Sequence, residues 1–226
     1  MNYRRICVFD FECDHSNPEL ANPTQIAALV LDPRGLHVKK GGKFYIEVKP
    51  DGIDKDGYIT PERDNTIKWH CKTRGVSKAK LLDEWRDGVD EKTAWTQFVR
   101  FVNSFNNKQS FFTSPIPAGM NVTGFDIPIA KRLGEKYKTG QMFWYRDTLD
   151  IQYLLPWWFE SLTDGPKNHK MDTLREYFGM SSKNAHNAMV DVEQEATVIT
   201  HFLKLHRRIT SGQHGKLQFK GAFSNG

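Results

Sequence analysis

The stretch RICVFDFEC, residues 5–13, decides the fold because it predicts a core strand with two acids on one face. Side chains leave a strand on alternating faces, so Asp10 and Glu12 share one face while Phe9 and Phe11 share the other. The phenylalanines predict burial in a core, and the carboxylates predict a cation site near the end of the strand. A solvated strand end is the alternative, because paired acids of this kind are common.

Two more strands are predicted directly after the first. Residues 24–31, TQIAALVL, and residues 43–48, KFYIEV, are rich in strand-forming residues. Pro33 and Gly35 mark a turn between them. The chain therefore opens with a predicted three-stranded meander.

The remainder of the chain predicts helices that alternate with short strands. Apolar residues recur there at helical spacing in several segments. Three strands followed by this alternation predict an α/β fold, with a mixed sheet of about five strands and helices on both faces. The predicted helices are 90–105, 127–137, 150–159, 171–178 and 188–208, the strands are 114–120 and 144–149, a polar loop or lid covers 50–65, and a short helix or turn covers 66–75.

The length of 226 residues suits a single domain with a short extension. We expect the domain over residues 1–208, followed over 209–226 by a basic, glycine-rich and mobile tail. No apolar run approaches the roughly 18 residues that a membrane-spanning helix needs, so we expect no membrane contact. The three cysteines form an odd and sparse set, which argues against a disulfide framework and favours a cytoplasmic protein.

Charge and aromatic content favour a nucleic-acid partner. Lysine and arginine number 32 against 27 acids, a net charge of +5, and a basic surface attracts a phosphate backbone. Trp157 and Trp158 are adjacent, so on one helix they cannot both face the core, and one is a candidate platform for base stacking. A net charge of +5 is also ordinary for this length, and the tryptophans could instead pack in the core or between subunits.

Two later segments carry further candidate site residues. Asp126 in GMNVTGFDIPIAKRL stands just before a predicted helix, where it is either a metal ligand or an N-cap. His186 and Asp191 in HNAMVD are five residues apart, so on one helix they would point about 140° apart. We therefore expect Asp191 in the helix and His186 in the loop before it. A histidine with an ordinary pKa of about 6.5 suits a general base, and an exposed loop histidine without a function is the alternative.

Convergence of these residues would predict a specific chemistry. Asp10, Glu12, Asp126 and Asp191 would repel one another unless cations or protons neutralise them. Mg²⁺ prefers oxygen ligands, and two such ions clamp the attacking and leaving oxygens of a displacement at phosphorus. The sequence therefore predicts a two-metal-ion site that cleaves phosphodiesters, with His186 as the base.

The combined motifs resemble those of the DEDDh exonucleases, which have the ribonuclease H-like fold. That family includes proofreading subunits of bacterial replicative polymerases, ribonuclease T, oligoribonuclease and phage-encoded exonucleases of the exonuclease A type, and the resemblance to the phage type is strongest. It covers about residues 5–205. The motifs D-x-E, F-D and H-x-A-x-x-D are matched by Asp10 and Glu12, by Phe125 and Asp126, and by His186, Ala188 and Asp191.

The resemblance implies a 3′→5′ exonuclease that hydrolyses single-stranded DNA to nucleoside 5′-monophosphates with two Mg²⁺ or Mn²⁺ ions. His186 is the implied activator of the attacking water. Cys13 stands where the family usually has threonine, and Met120 and Asn121 stand where it often has His-Asn. The implied metal ligands are Asp10 as the bridge between both ions, Glu12, Asp126 and Asp191, and the candidate substrate contacts are Phe11, Cys13, Asn121, Phe125, Trp157 and Trp158.

Other functions stay open on the sequence alone. An exoribonuclease that trims RNA 3′ ends would carry the same motifs, because only a few side chains in the formed pocket read the 2′-hydroxyl. A nucleic-acid-binding scaffold without activity is another alternative. A proofreading subunit docked on a polymerase or another replication partner is a third, and a homodimer is equally open. For a phage-encoded protein the expected location is the host cytoplasm.

Overall fold

The computed structural model describes residues 4–108, 110–183 and 185–211, except for the side chains of 210 and 211. Its first three strands are β1 (Ile6–Cys13), β2 (Pro23–Leu31) and β3 (Val38–Lys49). β2 pairs antiparallel with both β1 and β3. The predicted opening meander is therefore confirmed.

Three short parallel strands complete the sheet. They are β4 (Val89–Asp90), β5 (Ile116–Gly119) and β6 (Leu149–Asp150). β5 pairs with β1, β6 pairs with β5, and β4 pairs with β3, which gives the order β4-β3-β2-β1-β5-β6. The predicted mixed sheet is confirmed. The strand predicted over 144–149 is wrong for most of its length. Residues 144–148 contain a turn and no strand, and only Leu149 of the predicted segment belongs to β6.

Helices cover both faces of the sheet, as predicted. Phe9 and Phe11 face a core shared with the helices over 91–104 and 126–136, whereas Ile6 and Val8 face a core shared with the helices over 151–159, 171–177 and 188–211. The alternation of β1 therefore divides the protein into two apolar layers. The α-helices of the described residues are α1 (Pro61–Arg74), α2 (Lys78–Arg86), α3 (Glu91–Ser104), α4 (Asp126–Lys136), α5 (Ile151–Phe159), α6 (Met171–Tyr177) and α7 (Ala188–Ser211).

The segment predicted as a long loop over 50–65 instead leads into a helical hairpin of α1 and α2. Thr60 caps α1 by accepting a hydrogen bond from the Arg63 backbone N–H, and Pro61 suits the first turn. Gly75 ends α1 at φ 64°, the left-handed conformation that glycine adopts without strain. The hairpin has its own small apolar cluster, formed by Ile53, Tyr58, Ile67, Leu81, Leu82 and Trp85.

Few polar contacts join the hairpin to the end of β1. The Tyr58 hydroxyl donates to Asp14 Oδ2 at 2.6 Å, and Arg63 Nε lies 3.1 Å from the same oxygen. His70 Nε2 donates to the Cys13 carbonyl at 2.8 Å. These bonds fix α1 beside the strand end that carries the paired acids.

The last helix, α7, runs to Ser211 and so ends three residues beyond the predicted 208. The tail predicted over 209–226 lies, from residue 212 onward, outside the described residues. Among the helices that the structure describes, none combines the length and the apolar character needed to cross a bilayer. The proposed division into a domain and a mobile tail stays a prediction.

Truncation of Phe9 should destabilise the fold strongly. Its fully buried ring stacks on Phe143 at a centroid distance of 5.3 Å and contacts Phe98 at 6.0 Å. We expect Phe9→Ala to lower the free energy of unfolding by about 3–5 kcal/mol, because it removes buried apolar area and leaves a cavity. Urea denaturation followed by tryptophan fluorescence measures the change. Phe112→Ala is the control, since Phe112 is 56% exposed, and an equal loss in both variants would contradict the assigned core.

Candidate functional site

β1 carries Asp10 and Glu12 to the end of the sheet where the parallel strands β1, β5 and β6 all finish. Both acids lie on the face of β1 that packs against α7, the face shared by Ile6 and Val8. Asp10 Oδ2 is buried and has no hydrogen-bond partner within the described part of the chain. Ligands of sheets with parallel strands bind at the carboxyl ends of those strands, so this end is the first place to seek a site.

Asp126 is tied to β1 and does not act as a cap. It is the first residue of α4, and the N-cap position belongs to Phe125, which makes no side-chain capping bond. Asp126 Oδ1 accepts the backbone N–H of Phe11 at 2.9 Å. The alternative that Asp126 is an N-cap is therefore wrong, and its carboxylate sits against the strand between Asp10 and Glu12.

Asp150 holds the loop before α4 in place. Its carboxylate accepts the backbone N–H groups of Asn121 and Thr123, each at 2.9 Å, and also caps α5 through Gln152 at 3.0 Å. Asn121 has φ 55°, a left-handed conformation that asparagine tolerates. Asp150 thus fixes the loop that delivers Asp126.

His186 lies in the loop and Asp191 in the helix, as the five-residue spacing predicted. α7 begins at Ala188, and the Asn187 side chain accepts the backbone N–H groups of Met189 and Val190. His186 has φ 66° and donates its backbone N–H to Asp191 Oδ2 at 3.2 Å. This bond draws the loop back over the first turn of the helix.

A buried arginine and a glutamine hold the start of α7. Arg175, which is 2% exposed, donates to Asp191 Oδ1 at 2.5 Å and to Gln194 Oε1 at 2.6 Å. Gln25 on β2, which lies opposite Glu12 in the strand register, accepts the Ala188 N–H at 3.0 Å. The helix that carries Asp191 is therefore fixed to the strand beside the one that carries Asp10 and Glu12.

The structure brings the five motif residues to one location. Ligand atoms of Glu12, His186 and Asp191 all lie within 4.8 Å of one another. Asp10 and Asp126 lie close enough to other acids of the site for those charges to raise their pKa values. A group dominated by carboxylate oxygens suits hard divalent ions such as Mg²⁺ or Mn²⁺.

Burial and mutual repulsion change the ionisation of these acids. Burial, followed by the charges of Asp126 and Glu195, raises the pKa of Asp10 well above its usual range. Burial, followed by the charge of Asp191, raises the pKa of Glu12 to about 8. Burial likewise raises the pKa of Asp126, although the Phe11 N–H opposes the rise. Each raised pKa means that the ionised carboxylate is less well stabilised in the folded protein than it is in water.

An open cleft of about 620 Å³ adjoins the carboxylates. Three predicted substrate contacts, Phe11, Cys13 and Phe125, line it together with Glu12. The opposite wall comes from α1 and includes Trp69, whose indole meets the His186 ring edge-on at a centroid distance of 4.6 Å and an angle of 74°. The cleft therefore leads to both the acids and the histidine.

The other predicted substrate contacts do not line this cleft. Asn121 turns the loop before α4 and is not among the cleft's lining residues. Trp157, on α5, is 87% exposed. Trp158 packs on Phe202 of α7 at a centroid distance of 5.4 Å and lines a separate apolar cavity between these helices. Their contacts with a substrate stay predictions.

The structure adds four residues to the site, which are Trp69, His70, Glu195 and Arg175. Trp69 and His70 come from α1, of which residues 61–65 were predicted as loop and residues 66–74 as a short helix or turn. Burial lowers the pKa of His70, whose Nδ1 lies 3.9 Å from Glu12 Oε2. The spacing did offer a signal for Glu195, an acid one turn after Asp191 on the apolar stripe of α7. Arg175 carried no such signal, because its partner Asp191 is 16 residues away.

Comparison with known proteins identifies the fold. No protein-family model and no curated protein sequence matches the chain. Exonuclease I of E. coli in complex with a dT13 oligonucleotide is 18% identical, with a TM-score of 0.66 over 92% of this chain and 43% of that chain. The zinc-bound form of the same exonuclease with single-stranded DNA has 18% identity and a TM-score of 0.66 over 92% and 42% of the two chains. Exonuclease I of Methylocaldum szegediense has 16% identity and a TM-score of 0.65 over 91% and 42%.

The chain has the exonuclease I fold. The expected ribonuclease H-like mixed sheet, in a single domain, is thereby confirmed. The chain spans less than half the length of the exonuclease I chains that it matches.

The stability of EDTA-treated protein should fall as the pH rises from about 5 to about 8. The pKa of Glu12 is about 8 in the folded protein and close to 4.3 in an unfolded chain. Below the lower value the carboxyl is protonated in both states, and between the two values only the unfolded state ionises freely, so the unfolding free energy decreases. Urea denaturation at several pH values measures this slope.

Glu12→Gln is the matched variant for this measurement. It should reduce the slope, because the amide does not titrate. His70 acts in the opposite direction, since its lowered pKa adds stability as the pH rises from that lowered value to its ordinary value, but a single imidazole is outweighed by several buried carboxyls. Equal slopes in the two proteins would contradict the ionisation assigned to Glu12.

Proposed function

We propose that this protein is a 3′→5′ exonuclease that hydrolyses single-stranded DNA to nucleoside 5′-monophosphates with two bound Mg²⁺ or Mn²⁺ ions. The observation that carries the proposal is the convergence of four acids from three distant segments beside His186, with a buried Asp10 oxygen that lacks a partner among the described residues. The fold shared with exonuclease I supports it. The stronger resemblance to the phage-encoded exonuclease A type stays a prediction.

The residues present fit a pair of divalent ions. Asp10, Glu12, Asp126 and Asp191 would hold them, since the buried and unpaired Asp10 Oδ2 calls for a positive charge. When bound, such ions neutralise the developing charge at phosphorus and make water a stronger nucleophile at neutral pH. Arg175 and the His186 N–H each donate to one oxygen of Asp191, so Asp191 would bind an ion through the lone pairs that remain.

His186 would accept the proton of the attacking water. Its backbone bond to Asp191 Oδ2 and the edge-on contact with Trp69 keep the imidazole beside the acids. His70 is less suited to the task, because its Nε2 is committed to the Cys13 carbonyl and its ring is buried. A base must be within reach of the proton that it abstracts, and the exposed edge of the cleft gives His186 that access.

The cleft beside the acids is suited to the 3′ end of a single strand. Phe11 and Phe125 on one side and Trp69 on the other offer apolar surfaces for a base, and stacking of this kind tolerates any base. Trp69 is 45% exposed and therefore accessible to a ligand. Trp157 is exposed on α5 and would contact a DNA strand only outside the cleft.

The decisive experiment incubates 5′-labelled single-stranded DNA and RNA, separately, with the protein and Mg²⁺, Mn²⁺ or EDTA. We expect a ladder of products shortened from the 3′ end, release of nucleoside 5′-monophosphates, a preference for DNA, and no cleavage in EDTA. Asp10→Asn should abolish cleavage while the circular-dichroism spectrum is unchanged, because it removes the charge that the ions need.

The alternatives give distinct results in the same assay. Faster shortening of RNA would identify an exoribonuclease. Protein that binds labelled DNA but does not cleave it with either metal ion would favour a non-catalytic scaffold and refute the proposal. Normal turnover by Asp10→Asn would remove the carboxylate group from the mechanism.

Loss of the His186 imidazole should slow the reaction without preventing substrate binding. We expect His186→Ala to lower kcat by about 10²–10⁴, the usual effect of losing a general base, with little change in KM. Single-turnover cleavage of labelled DNA at pH 7.5 measures the rate. His201→Ala is the control, since His201 is exposed on α7, and an unchanged rate in His186→Ala would exclude the histidine from its proposed role.

A further inference from the structure

Glu195 is a buried acid in addition to the four motif carboxylates. It lies on α7 one turn beyond Asp191, so both side chains leave the same side of the helix. The side that they share also carries Val192, Ala196 and Ile199, which fill the apolar core. Glu195 is only 3% exposed, at a position where an apolar residue would be expected.

One oxygen of this carboxylate is left without a partner. Glu195 Oε2 is buried, and no hydrogen-bond donor reaches it within the ranges that the structure describes. The backbone N–H of Met120 donates to the carboxylate, but this single bond does not satisfy it. A buried polar atom without a partner destabilises the fold, and does so more when it is charged.

The backbone around Gly119 is shaped to receive this oxygen. Gly119 ends β5 beside β1, and a Cβ atom there would lie 3.1 Å from Glu195 Oε2 and 2.9 Å from the Phe9 carbonyl oxygen. Glu195 therefore reaches between the two parallel strands, at the level of the peptide that joins Phe9 to Asp10. A side chain at Gly119 would crowd this oxygen, and it would clash more severely with Val122 Cγ1, at 2.5 Å.

The surroundings of Glu195 are strongly negative. After burial, the charges of Asp126 and Asp191 are the main causes that raise its pKa well above the usual range, and Glu195 in turn raises the pKa of Asp10. Arg175 lowers the pKa of Glu195, but its guanidinium nitrogens donate to Asp191, Gln194 and Asp172. The acid thus lies among like charges, and Arg175 is bound to other residues.

We propose that Glu195 is a fifth carboxylate ligand of the divalent-ion site, and that it binds the ion held by Asp10. Asp10 Oδ2 and Glu195 Oε2 both lack partners among the described residues. Glu195 Oε2 and the carbonyl oxygen of Phe9, the residue before Asp10, lie 3.1 Å and 2.9 Å from the same point beside Gly119, so the two acids are neighbours. A hard cation between them would satisfy both at once. The inference rests on the proposed function for its metal site but not for its reaction.

The test compares Glu195→Gln with Glu193→Gln. Glu193 is on the same helix, but it is half exposed and pairs with Lys43 on the surface at 2.7 Å. EDTA-treated proteins are titrated with MnCl₂ by calorimetry without nucleic acid, and their thermal unfolding is followed with and without Mn²⁺. We expect Glu195→Gln to weaken the binding of at least one Mn²⁺ ion by about tenfold or more, whereas Glu193→Gln binds like the wild type.

Thermal unfolding separates a ligand from a structural residue. Without metal, Glu195→Gln should raise Tm by about 2–4 °C, because a neutral amide relieves the repulsion, and it should shrink the increase in Tm caused by Mn²⁺. Wild-type Mn²⁺ affinity in this variant would overturn the proposal. So would a loss of folding or a lower metal-free Tm, since either result shows that the carboxylate stabilises the fold by itself.

Failure of the proposed function gives a different pattern. Wild-type protein that binds Mn²⁺ but does not shorten DNA refutes the exonuclease and leaves the role of Glu195 supported if the variant binds more weakly. If the wild type cleaves DNA and Glu195→Gln binds Mn²⁺ as tightly as the wild type, only the proposed fifth ligand is refuted. Wild-type protein that binds no Mn²⁺ overturns both.

Discussion

Repulsion among buried carboxylates is the constraint on which the rest of this site depends. Asp10, Asp126 and Glu195 are each surrounded by apolar layers and by one another, and burial raises the pKa of all three. Ionised groups in such surroundings oppose folding unless a cation joins them. The sheet, the two apolar layers and the long helix α7 supply the stability that lets the arrangement persist.

Directional bonds from the backbone hold the acids in this unfavourable arrangement. The Phe11 N–H fixes Asp126, the His186 N–H fixes Asp191, and Arg175 binds Asp191 from the opposite side. Gln25 joins α7 to β2. The bonds to Asp126 and Asp191 come from β1, from the loop before α7 and from a buried arginine, so the positions of the acids do not rely on the ions themselves. Such preorganisation reduces the rearrangement needed when ligands bind.

Local periodicity was sufficient to predict part of the site. The alternation along β1 separated Asp10 and Glu12 from the phenylalanines, and the five-residue spacing put His186 outside the helix of Asp191. The hairpin was predicted only as a short helix or turn over 66–75, because α1 buries only Ile67 and His70, so its sequence has no apolar stripe. The ion pair of Arg175 and Asp191, and the approach of Glu195 to Gly119, join separate segments and leave no local pattern to recognise.

The helical hairpin of α1 and α2 has a small apolar cluster of its own and meets the end of β1 through a few polar contacts. It supplies Trp69 and His70 to the cleft, whereas the acids come from the sheet, α4 and α7. The two walls of the cleft thus belong to units with separate cores. A substitution within the hairpin core can therefore alter the wall that carries Trp69 without repacking the sheet, α4 and α7, which carry the acids.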